Sequence, residues 1–228
     1  KKKKKKIVTR NNMMGGGGGW LVALASLLFY WALFQTTLFS RGKRNAVSLV
    51  HAALCSATVL FFDDASMSIF DSHGASDILL INSMMYFILD TWYEWTTLWT
   101  VHHVFAIVAI FTGTYVNPLG AYRYLGYAEM GGVAYNLSAL LKDSITARVM
   151  FIVFYARTRL HMNVVFMEVL YRDLAELGGD QFMILMHCMG YTSTFIIMIV
   201  NVYFFTTQCM RLSSMIRRRL NNGKTIKP

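Results

Sequence analysis

The chain has 228 residues, 55% of them hydrophobic and only 15% charged, with a net charge of +10; a soluble domain carries about 25% charge, so this chain is short of groups to coat a water-facing surface. Seven cations fall in residues 1–10 and six in 211–228, which leaves nine cations against twelve acids in the body between them. That argues against a nucleic-acid-binding domain, whose basic patch lies on the fold itself, and fits a membrane protein with basic ends.

Residues 1–19 form a basic, then Gly-rich tail. Crossing a bilayer takes about 20 mostly apolar residues, and the first candidate, 20–39, is uncharged until Arg41-Gly42-Lys43-Arg44 stops it. A second run, 46–62, carries His51 and ends at Asp63-Asp64, before an acidic loop, 63–77, that holds His73. The third runs from Ile78 to Asp90; Glu94 follows, and Trp92, Trp95 and Trp99 are placed like interface anchors. The fourth, about 100–117, holds His102 and His103 and breaks at Asn117-Pro118, because proline lacks the N–H that would continue the helix. A fifth, 124–141, carries Glu129, Gly131-Gly132 and Asn136. The sixth, 149–170, contains Arg157, Arg159 and His161, and the seventh, 182–205, leads into the basic tail.

The expected fold is therefore all-α: a polytopic membrane helix bundle of about seven transmembrane helices, with a basic C-terminal tail at 213–228. Short connections leave no separate soluble catalytic domain. Loop charges place the 41–44 loop, the 142–148 loop and the C-terminal tail on the cytosolic or matrix side; with seven spans the Lys1–Lys6 run falls on the opposite face, against the same rule.

Cys55, Cys188 and Cys209 lie in apolar runs without CxxC spacing and read as buried free thiols. The triplet Asn136-Leu137-Ser138 lies in an apolar stretch and reads as inaccessible to glycosylation. The 15 methionines read as apolar filler rather than a metal box. The six histidines have no HxxxH-type spacing, so no metal site is expected.

Charged side chains at bilayer depth are costly unless paired, and mark functional candidates. Here they are accompanied by other polar groups: His51, Asp90, Glu94, His102, His103, Glu129, Asn136, Arg157, Arg159 and His161. Glu129 and Asn136, two turns apart, share a helix face, as do Arg157 and His161. His102 and His103 are adjacent and point about 100° apart, so at most one is expected to look straight into a cavity. Two readings stay open. In one, Arg157 or Arg159 neutralises Glu129 and the histidines simply hydrogen-bond across helices. In the other, His102 or His103 is a general base oriented by Asp90 or Glu129.

These residues fall in segments that resemble the TLC-domain family, which includes the translocon-associated TRAM proteins, the ceramide synthases and the neuronal ceroid protein. The segment 45–52, Asn-Ala-Val-Ser-Leu-Val-His-Ala, is similar to the family's first Ser–His helix, and 83–90, with Tyr86-Phe87 and Asp90, to its "GYF..D" segment. His102-His103 resemble its paired histidines. Ala128-Glu129 through Asn136 resembles the "AE.S....N" helix of TLCD-type members, with Gly131 in the serine position. Phe154-Tyr155-Ala156-Arg157 and Asn201-Val202-Tyr203-Phe204 resemble the arginine-bearing and closing helices. The match covers about 41–212. In ceramide synthases the paired histidines support acyl transfer from acyl-CoA and precede an HDxxD-type helix. Residues 127–132 have no His-Asp pair and no second Asp, so the TLCD-type branch, linked to membrane phospholipid composition, is the closer one.

The resemblance implies a TLC-like transmembrane domain over 41–212, with six helices around a lipid-accessible cavity and one peripheral helix at 20–39. The location is the endoplasmic reticulum by family expectation, with the mitochondrial inner membrane or another organelle membrane as alternatives. It implies that His102, His103, Glu129 and Asp90 are the catalytic candidates. His51, Tyr86, Asn136, Arg157, His161 and Asn201 are the lipid-binding ones. The expected function is binding or handling of lipid acyl chains, with an influence on membrane lipid composition. The alternatives are a non-catalytic scaffold subunit of a larger membrane complex and a ceramide-synthase-like N-acyltransferase. Expected partners are membrane lipids and other membrane subunits, not nucleic acid. No cofactor is expected, with acyl-CoA a co-substrate only if the protein is an acyltransferase.

Overall fold

A computed structural model describes residues 17–37, 43–62, 72–93, 96–177 and 179–224. The Lys1–Lys6 run, Arg41, Glu94, Trp95 and most of the 63–77 loop lie outside the described residues. Within them the chain is all-helical: α1 (Gly17–Thr37), α2 (Lys43–Phe62), α3 (Ser72–Tyr93), α4 (Thr97–Val116), α5 (Pro118–Leu140), α6 (Ile145–Tyr155), a π-helical segment (Ala156–His161), α7 (Met162–Glu176) and α8 (Gln181–Lys224). Because α6, the π segment and α7 run on without a break, the described residues form seven rods.

Local chemistry sets the breaks. Asn117 caps α5, its Oδ1 accepting from Gly120 N at 2.9 Å, and Pro118 occupies the first helical position, where its missing N–H costs nothing. Ser144 caps α6 by accepting from Ala147 N at 3.1 Å. Asp180 Oδ1 accepts from Phe182 and Met183 N at the start of α8. In the α7–α8 connection Gly179 takes φ 97°, a left-handed conformation that favours glycine.

Several boundaries differ from those read in the sequence. His73, expected in a loop, falls within the first turn of α3. The sixth run extends past Leu170 to Glu176, so Arg172 and Asp173 are helical. The expected tail from residue 213 is a continuation of α8 as far as Lys224, because Leu, Met and Arg are good helix formers and no proline intervenes. At 44 residues and 1.5 Å per residue, α8 is about 66 Å long.

Small residues let the rods approach closely. A Cβ on Gly126 of α5 would lie 2.0 Å from Val59 Cγ2 of α2, and one on Gly113 of α4 would lie 2.7 Å from Ala121 Cβ of α5. Gly190 brings α8 against Thr112 of α4 in the same way. Among the described residues the first helix touches only α2 and α3, yet it reaches inward through Tyr30, which is fully buried.

The distribution of polarity is inverted relative to a water-soluble domain. Large apolar side chains such as Trp20, Leu21, Phe61 and Trp92 are exposed, while His51, Asp90, His102, His103, Glu129, Asn136 and Asn201 are buried. Two helical stretches, Thr97–Val116 and Gln181–Asn221, are long and apolar enough to cross a membrane; Trp20–Thr36, Asn45–Phe61 and Ile78–Tyr93 are apolar but shorter.

Candidate functional site

Several of the buried polar groups converge on one small pocket between α2, α3, α4, α5, α6, the π segment and α8, with a cavity volume of about 50 Å³. Asp90, His102, His103, Glu129, Asn136 and Arg159 all line it, with Tyr86 and Trp99. Phe87, His102, Glu129 and Arg159 also border a second, apolar cavity, walled by Ala106, Ala109, Ala121, Leu125, Phe166 and Ile197. The two spaces therefore share a polar partition, with charge on one side and hydrocarbon on the other.

Arg159 is the hub. Its Nη2 donates to Glu129 Oε1 at 3.0 Å, its Nε donates to Ala128 O at 2.9 Å, and its Nη1 reaches His102 Nε2 at 3.5 Å. The guanidinium also lies over the Tyr155 ring, 5.6 Å from its centre. Room for it comes from Gly131 and Gly132: a Cβ on Gly132 would be 2.5 Å from Glu129 Oε2 and 3.2 Å from Arg159 Nη2. Both ion-pair side chains are largely shielded, with 11% and 8% exposed, so neither charge is left without its partner in a poorly solvated space.

Hydrogen-bond directions fix where protons lie. An arginine N–H can only donate, so His102 Nε2 accepts and the neutral ring carries its proton on Nδ1. That Nδ1 is buried and has no hydrogen-bond partner among the described residues, which leaves a donor for an acceptor group on a ligand. Thr91 Oγ1 donates its one proton to Phe87 O at 2.7 Å, and therefore accepts from His103 Nδ1 at 3.0 Å. His103 Nε2 then meets Asp90 Oδ2 at 3.3 Å; a hydrogen bond there requires a further proton, held by the imidazole or by the carboxyl.

Both histidines border the pocket, although only one was expected to face it. Two side chains about 100° apart can form two walls of one concave space, and here His103 is fixed by Asp90 while His102 fills the partition. Asp90 thus partners His103, whereas Glu129 partners Arg159 rather than a histidine.

His51 belongs to an adjoining cluster. Its ring stacks on Tyr86, with centroids 3.9 Å apart, and Nδ1 contacts Tyr30 Oη at 3.0 Å. Asn82 Nδ2 also donates to Tyr30 Oη, and Ser48 bonds Tyr86 Oη at 2.7 Å. Asn136 lines the polar pocket while its Nδ2 donates to Gly132 O, and Asn201 lines the apolar cavity, with Oδ1 accepting from Tyr155 Oη at 2.8 Å.

Arg157 and His161 do not join them. Both are exposed on the π segment. Its i→i+5 turn holds one residue more than an α turn, which carries Arg157 outward and brings Arg159 into the pocket. Trp99, read as an interface anchor, instead packs inside, stacked on Phe204 at 4.7 Å and tilted over His103 at 5.7 Å.

Several inward-facing groups escaped the sequence reading. Tyr155 and Trp99 line the pocket, and Tyr124 lines the apolar cavity and bonds Asn163. His187 is buried on α8, with Nδ1 against Met183 O at 2.8 Å. Tyrosine and tryptophan in apolar runs carry no signal that separates inward from outward positions. Arg148 was placed in a loop, but it is buried on α6 against Gln208 of α8. Among the described residues no three His, Cys, Asp or Glu side chains gather as metal ligands would. Comparison with known protein families, with curated proteins and with solved structures finds no match to this chain.

Proposed function

We propose that the protein is a multi-pass membrane protein of TLC-domain type that binds the acyl chain of a lipid inside its helix bundle and so influences membrane lipid composition. The observation that carries this reading is the two-part cavity. An apolar chamber between α4, α5, α7 and α8 meets a chamber of charged and imidazole groups across His102, Glu129 and Arg159. The two spaces are small, about 50 and 40 Å³, and an amphiphile would widen them on entry, with hydrocarbon against Ala109 and Leu125 and a polar head accepting from the Nδ1–H of His102. The inverted distribution of polarity supports the membrane setting, as does the order of motifs that resemble the TLC-domain family.

The test is native mass spectrometry of the full chain, extracted from its membrane in mild detergent. An acyl lipid is expected inside the bundle at about one copy per chain, beyond any lipid held on the outer faces of the helices. Ala109→Phe, which fills the apolar chamber, should remove it. Equal occupancy in the wild type and this variant refutes the reading.

One observation favours a second reading. Asp90 and His103 form a carboxylate–imidazole pair at the same pocket, 3.3 Å apart. Once it has released the proton held between them, such a pair can take the proton from an amine as it attacks an acyl-CoA thioester and pass that proton to the leaving thiolate. Transfer of labelled acyl-CoA to a sphingoid amine, lost in His103→Ala, would support N-acyl transfer. Absence of transfer by the folded wild type removes it.

A further inference from the structure

A second concentration of unbalanced charge lies away from the pocket, where α6 begins. Arg148 is in the first turn of α6 and only 8% exposed. Its side chain folds back toward the helix start, Nη2 donating to Lys142 O at 3.1 Å, while Nη1 donates to Gln208 of α8. Its Nε is buried without an acceptor, and among the described residues no carboxylate forms an ion pair with it. Arg211, about one turn after Gln208, is close enough to repel it, and Asp143 partly offsets that repulsion. Arg219 also reaches this end, donating to Asp143 O at 3.5 Å.

These terms share a sign. A guanidinium is withdrawn from water, a second cation approaches it, and both lie at the positive end of the α6 dipole. An anion offsets all three. On the adjoining face of the same turn, Ser144 and Thr146 open an apolar groove of about 600 Å³, which runs along α5 and α6 past Met150 and Phe154 to Leu60 of α2. Its lining is mostly apolar, and its Leu141 and Ser144 flank Lys142, whose backbone carbonyl accepts from Arg148.

We propose that this surface holds an anionic phospholipid, with its phosphate beside Arg148 and Arg211 and one acyl chain along the α5–α6 groove. It rests on the membrane-bundle reading but is separate from the His102 pocket. Charge complementarity selects a lipid with net negative charge over a zwitterionic one. Each arginine beside an anionic headgroup contributes about fivefold in preference.

The full chain, reconstituted in vesicles of equal phosphatidylglycerol and phosphatidylcholine, is recovered by flotation and extracted in mild detergent, and the lipids retained per chain are counted by mass spectrometry. Phosphatidylglycerol should be retained in excess. Arg211→Gln, at an exposed position that does not endanger folding, should lower the excess about fivefold. Arg148→Lys should preserve it, and so should Arg172→Gln, an exposed arginine paired with Glu168 elsewhere. Ala109→Phe should leave it unchanged. Equal retention of the two lipids by protein that floats with the vesicles overturns this site alone, as does an equal drop in Arg172→Gln and Arg211→Gln. Failure to float overturns the membrane reading and this site with it.

Discussion

The Glu129–Arg159 pair gives the sharpest test of how the bundle tolerates charge. Arg159→Met keeps most of the side-chain volume but removes the guanidinium that Glu129 faces at 3.0 Å. With 8% of its side chain exposed, Glu129 cannot recover that interaction from solvent, and breaking such a pair costs about 3–5 kcal/mol. For a chain of this length each kcal/mol is worth about 2–4 °C in melting temperature, so Arg159→Met should melt roughly 6–20 °C below wild type. Adding Glu129→Gln removes the stranded carboxylate. What the double variant still lacks is chiefly the hydrogen bond from Arg159 Nε to Ala128 O, about 1 kcal/mol. The double variant should therefore recover most of the loss. The assay is thermal unfolding of the full chain in mild detergent, followed by tryptophan fluorescence, with Glu129→Gln alone completing the cycle. A double variant no more stable than Arg159→Met refutes the argument that the pair exists to neutralise a buried charge.

Three further outcomes follow from the packing and the proton assignments. Gly126→Ala drives a methyl to 2.0 Å from Val59 Cγ2; it should cost about 1–3 kcal/mol in thermal unfolding, and Val59→Ala in the same chain should restore part of that loss, whereas additive losses would contradict the close α2–α5 approach. Tyr30→Phe removes the hydroxyl that bridges His51 and Asn82; a loss of about 1–3 kcal/mol is expected, with faster proteolysis between α1 and α2, and unchanged cleavage would show that this bridge does not hold α1. Asp90→Asn supplies an N–H to His103 Nε2, whereas Asp90→Ala removes the group 3.3 Å from that buried nitrogen; the alanine variant should be less stable by about 1–3 kcal/mol, and equal melting temperatures would contradict the assigned proton on His103 Nδ1.

The helical order was legible because uncharged runs broken by charge clusters and Asn117-Pro118 leave few other places for helix ends. The site was legible in part for a related reason: Asp90, His102, His103, Glu129 and Asn136 stand out against apolar neighbours, and all five line one pocket. Hydropathy carries less information about α8, since Arg211 and Arg217–Arg219 end an apolar run without ending a helix. It carries none about Tyr30, whose sequence neighbours resemble those of any outward-facing tyrosine although its hydroxyl is part of the interior network.

The case of Arg157 and Arg159 shows the deeper limit. Both arginines have comparable sequence context, and an uninterrupted α-helix would let either reach Glu129. The choice is made by the π segment at Ala156–His161, which adds one residue to the turn and rotates the charge at 159 inward. Its cause is distributed over the packing around it. Tyr155 must meet Asn201 on one side of the segment and Asn163 must meet Tyr124 on the other, while Gly131 and Gly132 clear the space into which Arg159 turns. A register satisfying those contacts depends on three helices at once, so it is absent from any local window of sequence. The glycine pair was visible in the sequence as an oddity in an apolar helix. Its physical role, to admit a guanidinium beside its carboxylate, becomes readable only once α5 and the π segment are brought together.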